Sequence, residues 1–306
     1  MNRYSPLFLL FILVLFTSVG AQEYKRTQQP NYCPDGKSIV FSATISKGSD
    51  DLSKGLAVMA SDGTAVRTVT QNVLGVFDEF PALSPDGKRV VFLRRTAGTR
   101  HDVYVVNTDG TGLKQITKTP EQELRPEFDH GGTGVVFARN FSTNIFIKFG
   151  SLHYVDLTSM KEKVILAKEF QVTHAVPALR GAYFIAAAKV GADGKSVDVV
   201  NNGNQVTVVS PTGEISPKSP AALPDSKAFI ERIQAARGAE FMLYLSVGGM
   251  LAQQSYLVTP KGVEKLEGGD YSLSPDGTKL LTWEGGSAVY IKGLRAERGV
   301  VVGKNK

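Results

Sequence analysis

The chain has 306 residues and a formal net charge of +6, from 35 Lys and Arg against 29 Asp and Glu. Because both signs are spread along the chain and no basic run occurs, the composition argues against nucleic-acid binding. Cys33 is the only cysteine, which excludes an internal disulfide.

The first 21 residues have the pattern of a secretory signal peptide. Arg3 precedes an apolar run at residues 7–16, and small residues end the segment at Gly20 and Ala21. The run is too short for a membrane-spanning helix, which needs roughly 20 residues. We expect cleavage near Ala21, a periplasmic or secreted protein, and no stable membrane insertion.

A turn motif repeats along the rest of the chain. Its template is residues 81–92, in which Ser84-Pro85-Asp86-Gly87 precedes an apolar strand. Pro85 presets φ, Asp86 bonds its own backbone, and Gly87 accepts positive φ. Near-identical copies lie at residues 33–41 and 274–281, and a degenerate copy at residues 128–137.

Two further units are less regular. Prolines precede the turns at Pro30, Pro81, Pro126 and Pro177, and residues 177–181 are therefore interpreted as a fourth copy with a shortened turn. The fifth turn lies either at residues 223–227 or at residues 237–241, and the second choice precedes the better strand. Residues 227–234 fit a short helix by propensity and, by context, the outer strand of one blade running into the next.

The second half of each unit predicts another hairpin. These hairpins lie at residues 56–70, 102–117, 152–166, 205–215, 256–266 and 288–302. Two hairpins in a period of about 45 residues are typical of a four-stranded propeller blade. The sequence therefore predicts an all-β, six-bladed β-propeller that forms a single domain at residues 22–306, with little helix.

The repeat unit resembles the WD-like repeat of the TolB-type six-bladed propellers. The resemblance is carried by the Pro-x-x-Ser-Pro-Asp-Gly-Lys pattern and the following Tyr and Asp-Gly positions, and it extends over residues 29–302. The α/β domain that precedes the propeller of TolB has no counterpart in residues 22–28. The resemblance implies that one channel mouth docks a protein, as TolB docks a peptidoglycan-associated lipoprotein.

The residues just before the innermost strands are expected to rim that mouth, because six loops converge there. Acids dominate among them, so we expect a partner with basic or hydrogen-donor groups. The predicted binding residues are Asp78, Glu79, Glu123, Arg125, His174 and Asp270.

The search for catalytic motifs predicts no catalytic residue, metal ligand or cofactor. No nucleophile elbow, phosphate-binding loop or His-Glu-x-x-His motif occurs, and the repeat register separates His101, His130, His153 and His174. These patterns favour a monomeric, exported, non-enzymatic module that binds an envelope protein or peptide, with a role in envelope integrity or transport. The alternative is a metal-dependent hydrolase or lyase acting on an envelope polymer, oligosaccharide or lactone.

Overall fold

The structure is a computed structural model. It describes residues 26–44, 53–96, 100–141, 150–178, 181–187, 205–216, 229–236, 243–248, 254–259, 262–266, 271–284, 288–293 and 299–304. The predicted signal peptide and Asp270 lie outside these residues. In the described part no helix is long and apolar enough to cross a membrane.

The first three blades are antiparallel units of four strands that pair in sequence order. Blade 1 contains β1 (Arg26–Tyr32), β2 (Ser38–Thr44), β3 (Gly55–Ala60) and β4 (Arg67–Thr68). Blade 2 contains β5 (Val76–Leu83), β6 (Arg89–Thr96), β7 (Asp102–Asn107) and β8 (Lys114–Gln115). Blade 3 contains β9 (Gln122–Phe128), β10 (Gly134–Asn140), β11 (Gly150–Asp156) and β12 (Glu162–Leu166).

The last three blades follow the same order. Blade 4 contains β13 (Val172–Pro177), β14 (Tyr183–Ala187) and β15 (Gln205–Val209), with Ile215 forming a single bridge to Val209. Blade 5 contains β16 (Phe229–Ala235), β17 (Leu243–Gly248), β18 (Gln254–Thr259) and β19 (Gly262–Leu266). Blade 6 contains β20 (Tyr271–Leu273), β21 (Lys279–Glu284), β22 (Ala288–Gly293) and β23 (Gly299–Lys304). A short 3₁₀ turn lies at Lys168–Phe170.

The predicted all-β, six-bladed propeller is therefore confirmed, and each predicted second hairpin corresponds to an observed one. The favoured position of the fifth turn is also confirmed, because β16 and β17 flank it and Ala235 pairs with Leu243. Residues 229–235 are neither helix nor outer strand, since β16 is the first strand of its sheet.

The fourth proline was assigned wrongly. The turn of blade 4 is closed by the Ala178 N–H, as the other turns are closed by Cys33 and Ser84. The residue three positions before the one that closes the turn is Pro30 in blade 1 and Pro81 in blade 2, but Ala175 in blade 4. Pro177 is therefore at the end of its strand and not in the proline column.

Six hydrophobic clusters hold the ring together, one at each boundary between neighbouring blades. The cluster between blades 6 and 1 joins Leu281 to Ile39 and Phe41. Each terminal blade takes its four strands from its own end of the chain. In the described part, side chains therefore close the ring and no strand is exchanged.

The turn motif explains its own repetition. In blade 2 the Ser84 hydroxyl contacts Asp86 at 2.6 Å and accepts the Arg89 N–H at 2.9 Å, while the Gly87 N–H donates to the Ser84 carbonyl. Gly87 has a φ of +69°, where a side chain is disfavoured.

We expect Gly87→Ala to lower the free energy of unfolding by about 1 kcal/mol, and Gly87→Val by more, because a Cβ is penalised at positive φ. Urea denaturation measures the change. Gly131→Ala is the matched control, because Gly131 does not have positive φ and an added Cβ would meet only ordinary contacts. An equal loss in both alanine variants would contradict this explanation of the turn.

Candidate functional site

Apart from one bridge between Gly150 and Val172, which joins blade 3 to the first strand of blade 4, the innermost strand of each blade has one edge that no strand of its own sheet covers. Side chains of the neighbouring blade supply acceptors for this edge. The Gln29 Oε1 accepts the Phe80 N–H at 2.7 Å, and the His174 Nδ1 accepts the Ile233 N–H at 2.9 Å. The polar groups along the channel are therefore first of all links between blades.

Gln234 makes the same kind of link where the ring closes. Its Oε1 accepts the Leu273 N–H at 2.7 Å, and its Nε2 donates to Asn31 at 2.8 Å and to Ser272 at 3.1 Å. These bonds join blades 5, 6 and 1 across the junction between the two ends of the chain.

Bulges turn one set of side chains toward the channel. The pairing register shifts in β1, β5 and β9, at positions that include Gln29, Phe80 and Arg125. These residues have φ values of 52°, 53° and 38°, the left-handed region. Non-glycine residues in this region are strained, and such strain is concentrated at functional sites.

The bulged residues line a cavity of about 320 Å³ in the channel. Ten residues from the first five blades form its wall: Gln28, Gln29, Asn31, Phe80, Pro81, Arg125, Pro126, Glu127, His174 and Arg232. Its volume is at the lower end of the range for small-ligand sites. A smaller cavity of about 60 Å³ shares Asn31 and Glu127 and lies toward the turns.

His174 is 3% exposed, and a hydrogen bond at its Nδ1 atom fixes the orientation of the ring. Because its Nδ1 accepts the Ile233 N–H, the proton of the neutral ring is on Nε2. This Nε2 has no hydrogen-bond partner among the described residues and lies 3.8 Å from the Glu127 Oε1. Burial, together with the charges of Arg125 and Arg232, holds the pKa of His174 well below its usual value.

Two arginines give the cavity its charge. Arg125 lies over the Phe80 ring at 4.8 Å, and Arg232 is 6% exposed and donates to the Pro30 carbonyl at 3.3 Å. Against these two cations the described wall has one carboxylate, Glu127, so its formal charge is +1 with His174 neutral. Of the four acids predicted at this mouth, Asp78, Glu79 and Glu123 do not line this cavity, and Asp270 lies outside the described residues.

Asp78 was expected at the rim but is 0% exposed and does not line the cavity. Arg94 binds both of its oxygens, at 2.7 and 2.8 Å, and the Thr70 hydroxyl donates to Oδ2 at 2.6 Å. Asp78 lies within β5 and not in a loop before it, so its side chain faces its own sheet. It forms a fully bonded ion pair inside blade 2.

Glu123 has the equivalent place in β9 and is also 0% exposed. Arg139 donates to its Oε1 at 3.1 Å but forms a two-pronged pair with Glu162, at 2.6 and 3.0 Å. The Glu123 Oε2 has no partner among the described residues. Burial raises the pKa of Glu123 to about 7, despite the bonds from Thr119 and Arg139.

The other predicted residues divide between the cavity and its surroundings. Arg125 and His174 are on the wall, whereas Glu79 bonds Lys54 and His101 outside it. Those partners lower the pKa of Glu79 to about 2 against the effect of its burial. The sequence prediction missed Glu127 and Arg232. Counting four residues back from each turn would have found Arg232, but this count requires the register of the fifth blade.

The four histidines lie in four different surroundings. His101 contacts Glu79 and Gln122, His130 is exposed in a turn, and His153 is buried beside Glu162. Among the residues that the structure describes, no three His, Cys, Asp or Glu side chains are placed to hold a metal ion together.

Solved structures with a similar architecture include two TolB proteins. A putative TolB from Agrobacterium tumefaciens aligns with a TM-score of 0.61 at 14% identity, covering 89% of this chain and 91% of that one. TolB from Acinetobacter baumannii aligns with a TM-score of 0.58 at 13% identity, covering 80% of this chain and 56% of that one. The fold is a TolB-like β-propeller.

The TolB-like fold is shared with enzymes. An oligogalacturonate lyase in complex with manganese aligns with a TM-score of 0.55 at 13% identity, covering 92% of this chain and 78% of that one. No protein-family model and no curated protein matches the sequence. The comparisons therefore show the fold.

Glu123 gives this TolB-like propeller a stability that depends on pH. Because the folded state raises the pKa of Glu123 from 4.5 to about 7, it binds more protons than the unfolded state in that interval. This group therefore makes the folded state less stable as pH rises through it. Glu123→Gln should therefore be more stable than wild type, and its advantage in the free energy of unfolding should grow by on the order of 2 to 3 kcal/mol from about pH 5 to about pH 8.

Asp78→Asn is the matched control, since it changes the equivalent acid of the neighbouring blade. Removing one partner of a buried ion pair costs about 3 kcal/mol or more, so we expect Asp78→Asn to lower the free energy of unfolding where Glu123→Gln raises it. Urea denaturation at the two pH values measures both variants. A difference between Glu123→Gln and wild type that does not grow with pH would contradict the raised pKa.

Proposed function

We propose that this protein is a non-enzymatic binding module that takes a protein or peptide segment into the larger cavity of its channel. The observation that carries the proposal is the wall itself. It brings strained and charged side chains from five blades around one accessible space, and a closed ring can position such groups precisely without moving.

The wall suits a peptide because it combines apolar and polar groups. Phe80, Pro81 and Pro126 give it flat apolar surface, and Gln28, Gln29 and Asn31 give it amide groups. A pocket with apolar lining and a few convergent polar groups is the usual form of a binding site. The structural likeness to TolB proteins supports the same choice at the level of the fold.

The proposal includes export. The segment at residues 1–21 has the features of a signal peptide, so we propose that the mature protein acts in the periplasm or outside the cell. An envelope protein or peptide is then the natural class of partner, and a peptidoglycan-associated lipoprotein is one member of it.

The likeness to a lyase with bound manganese keeps one alternative, a metal-dependent enzyme acting on an envelope polymer or oligosaccharide. Elemental analysis of the purified mature protein decides between the two. A stoichiometric, tightly held metal ion would favour the enzyme and contradict the proposal.

Site-specific photo-crosslinking tests the binding site. A photoreactive amino acid at Gln28, on the cavity wall, should capture a discrete protein in cells that make this propeller. The same amino acid at Lys114, exposed on the outermost strand of blade 2, should not.

The purified partner must then bind with a measurable Kd that Gln28→Trp weakens, because the larger ring would fill the cavity. Capture at Lys114 with none at Gln28 would move the binding site to the outer edge of the ring. Binding that is indifferent to Gln28→Trp would likewise overturn the channel model.

A further inference from the structure

The links between blades use the acceptor end of a side chain and leave its donor end for the channel. Gln29 accepts the Phe80 N–H through Oε1, and His174 accepts the Ile233 N–H through Nδ1. Because a backbone N–H can only donate, these bonds fix the orientation of both side chains. The Gln29 amide nitrogen and the His174 Nε2–H are therefore the donors that remain on the cavity wall.

Asn31 is oriented in the same way through a longer chain of bonds. The Leu273 N–H donates to the Gln234 Oε1, so the Gln234 Nε2 is a donor and the Asn31 atom that accepts it is Oδ1. The Asn31 Nδ2 makes a contact of 3.5 Å to the Pro81 carbonyl, which is long for a hydrogen bond. Asn31 thus adds a third, weakly bonded donor to the wall.

The donor on His174 needs a partner most, because its Nε2 is buried and has none among the described residues. The Glu127 Oε1 lies 3.8 Å away, which is too far for a hydrogen bond. Arg125, Arg232 and Glu127 all have partners within the protein, so the uncharged donors are the groups that select a ligand. A buried donor without a partner costs free energy, and these donors therefore favour a ligand that is rich in acceptors.

We propose that the cavity binds a proline-containing segment of the partner through its carbonyl oxygens, with Gln29, Asn31 and His174 as the donors. This inference rests on the proposed function and reverses the hydrogen-donor partner that the sequence predicts. Every peptide carbonyl is an acceptor, but a proline nitrogen bears no proton. Such a segment brings acceptors to the donors of the wall without burying its own N–H groups against them.

The apolar part of the wall also suits proline. Phe80, Pro81 and Pro126 contribute flat apolar rings, and proline-rich segments bind aromatic-lined grooves because their extended helix is formed in advance. The volume of about 320 Å³ corresponds to roughly ten water molecules at about 30 Å³ each. This space accommodates one residue with part of its neighbours, so the partner is recognised over a short segment.

Two isomeric peptides separate the effect of acceptors from that of N–H groups. Acetyl-trisarcosine dimethylamide and acetyl-trialanine dimethylamide have the same atoms and the same number of carbonyls, but the first has its methyl groups on nitrogen and no N–H. Each is titrated into the intact mature protein while the ring signals of His174 are followed by NMR. We expect trisarcosine to bind about tenfold more tightly, since an N–H buried against donors loses its bond to water. Acetyl-triproline dimethylamide should bind at least as tightly, and both should move the Nε2–H proton signal downfield.

Gln29→Glu removes one donor without breaking the link between blades. A carboxylate oxygen still accepts the Phe80 N–H, but the amide donor is lost, so binding of trisarcosine should weaken about tenfold. Hydrogen exchange of the Phe80 amide should remain slow, which reports that the link persists. Gln71→Glu makes the same change at an exposed position between blades 1 and 2 and should leave the Kd unchanged.

Each other outcome overturns the inference. If trialanine binds as tightly as trisarcosine, or Gln29→Glu as tightly as wild type, the donors do not select the ligand. If the peptides bind without moving the Nε2–H signal, His174 is not a donor to them. If no probe binds while the crosslinking experiment still captures a partner at Gln28, only the inference fails; if both are negative, the proposed function fails with it.

Discussion

Every blade of a propeller exposes the edge of its first strand to the channel, and unpaired N–H groups on that edge must find acceptors. Here Gln29, His174 and Gln234 supply three of them, each across a blade boundary. A side chain fixed in this way has its remaining polar atoms in the channel at a defined orientation. The requirement that closes the ring therefore also determines which donors and acceptors line the cavity.

The same strands separate charged groups that pair within a blade from charged groups on the cavity wall. Asp78 and Glu123 lie on strands that line the channel, yet both turn to arginines of their own sheets and are fully buried. Arg125 and Arg232 take positions four residues before their turns, at or near bulges that turn the chain toward the channel. Local backbone geometry, and not the number of charged residues near the mouth, determines which charged side chains line the described wall.

Local chemistry made the fold predictable. The Ser84-Pro85-Asp86-Gly87 turn bonds to itself, so its copies indicate the strand order without any knowledge of the packing. The side of β5 on which the Asp78 side chain lies was not predictable, because one bulge changes which side of a strand the following residues face. Arg232 was missed for a related reason: its blade lacks the motif, and without the register no count could place it beside Arg125.

The account depends most directly on the hydrogen bond between the Ile233 N–H and the His174 Nδ1, because this bond orients the donor that the cavity offers. NMR correlation of ring protons with ring nitrogens in the ligand-free mature protein at neutral pH reports which nitrogen bears the proton. The account predicts a neutral ring protonated on Nε2, as burial and the two arginines lower its pKa. A proton on Nδ1, alone or in a charged ring, would contradict it, since that nitrogen could then not accept the bond between the blades.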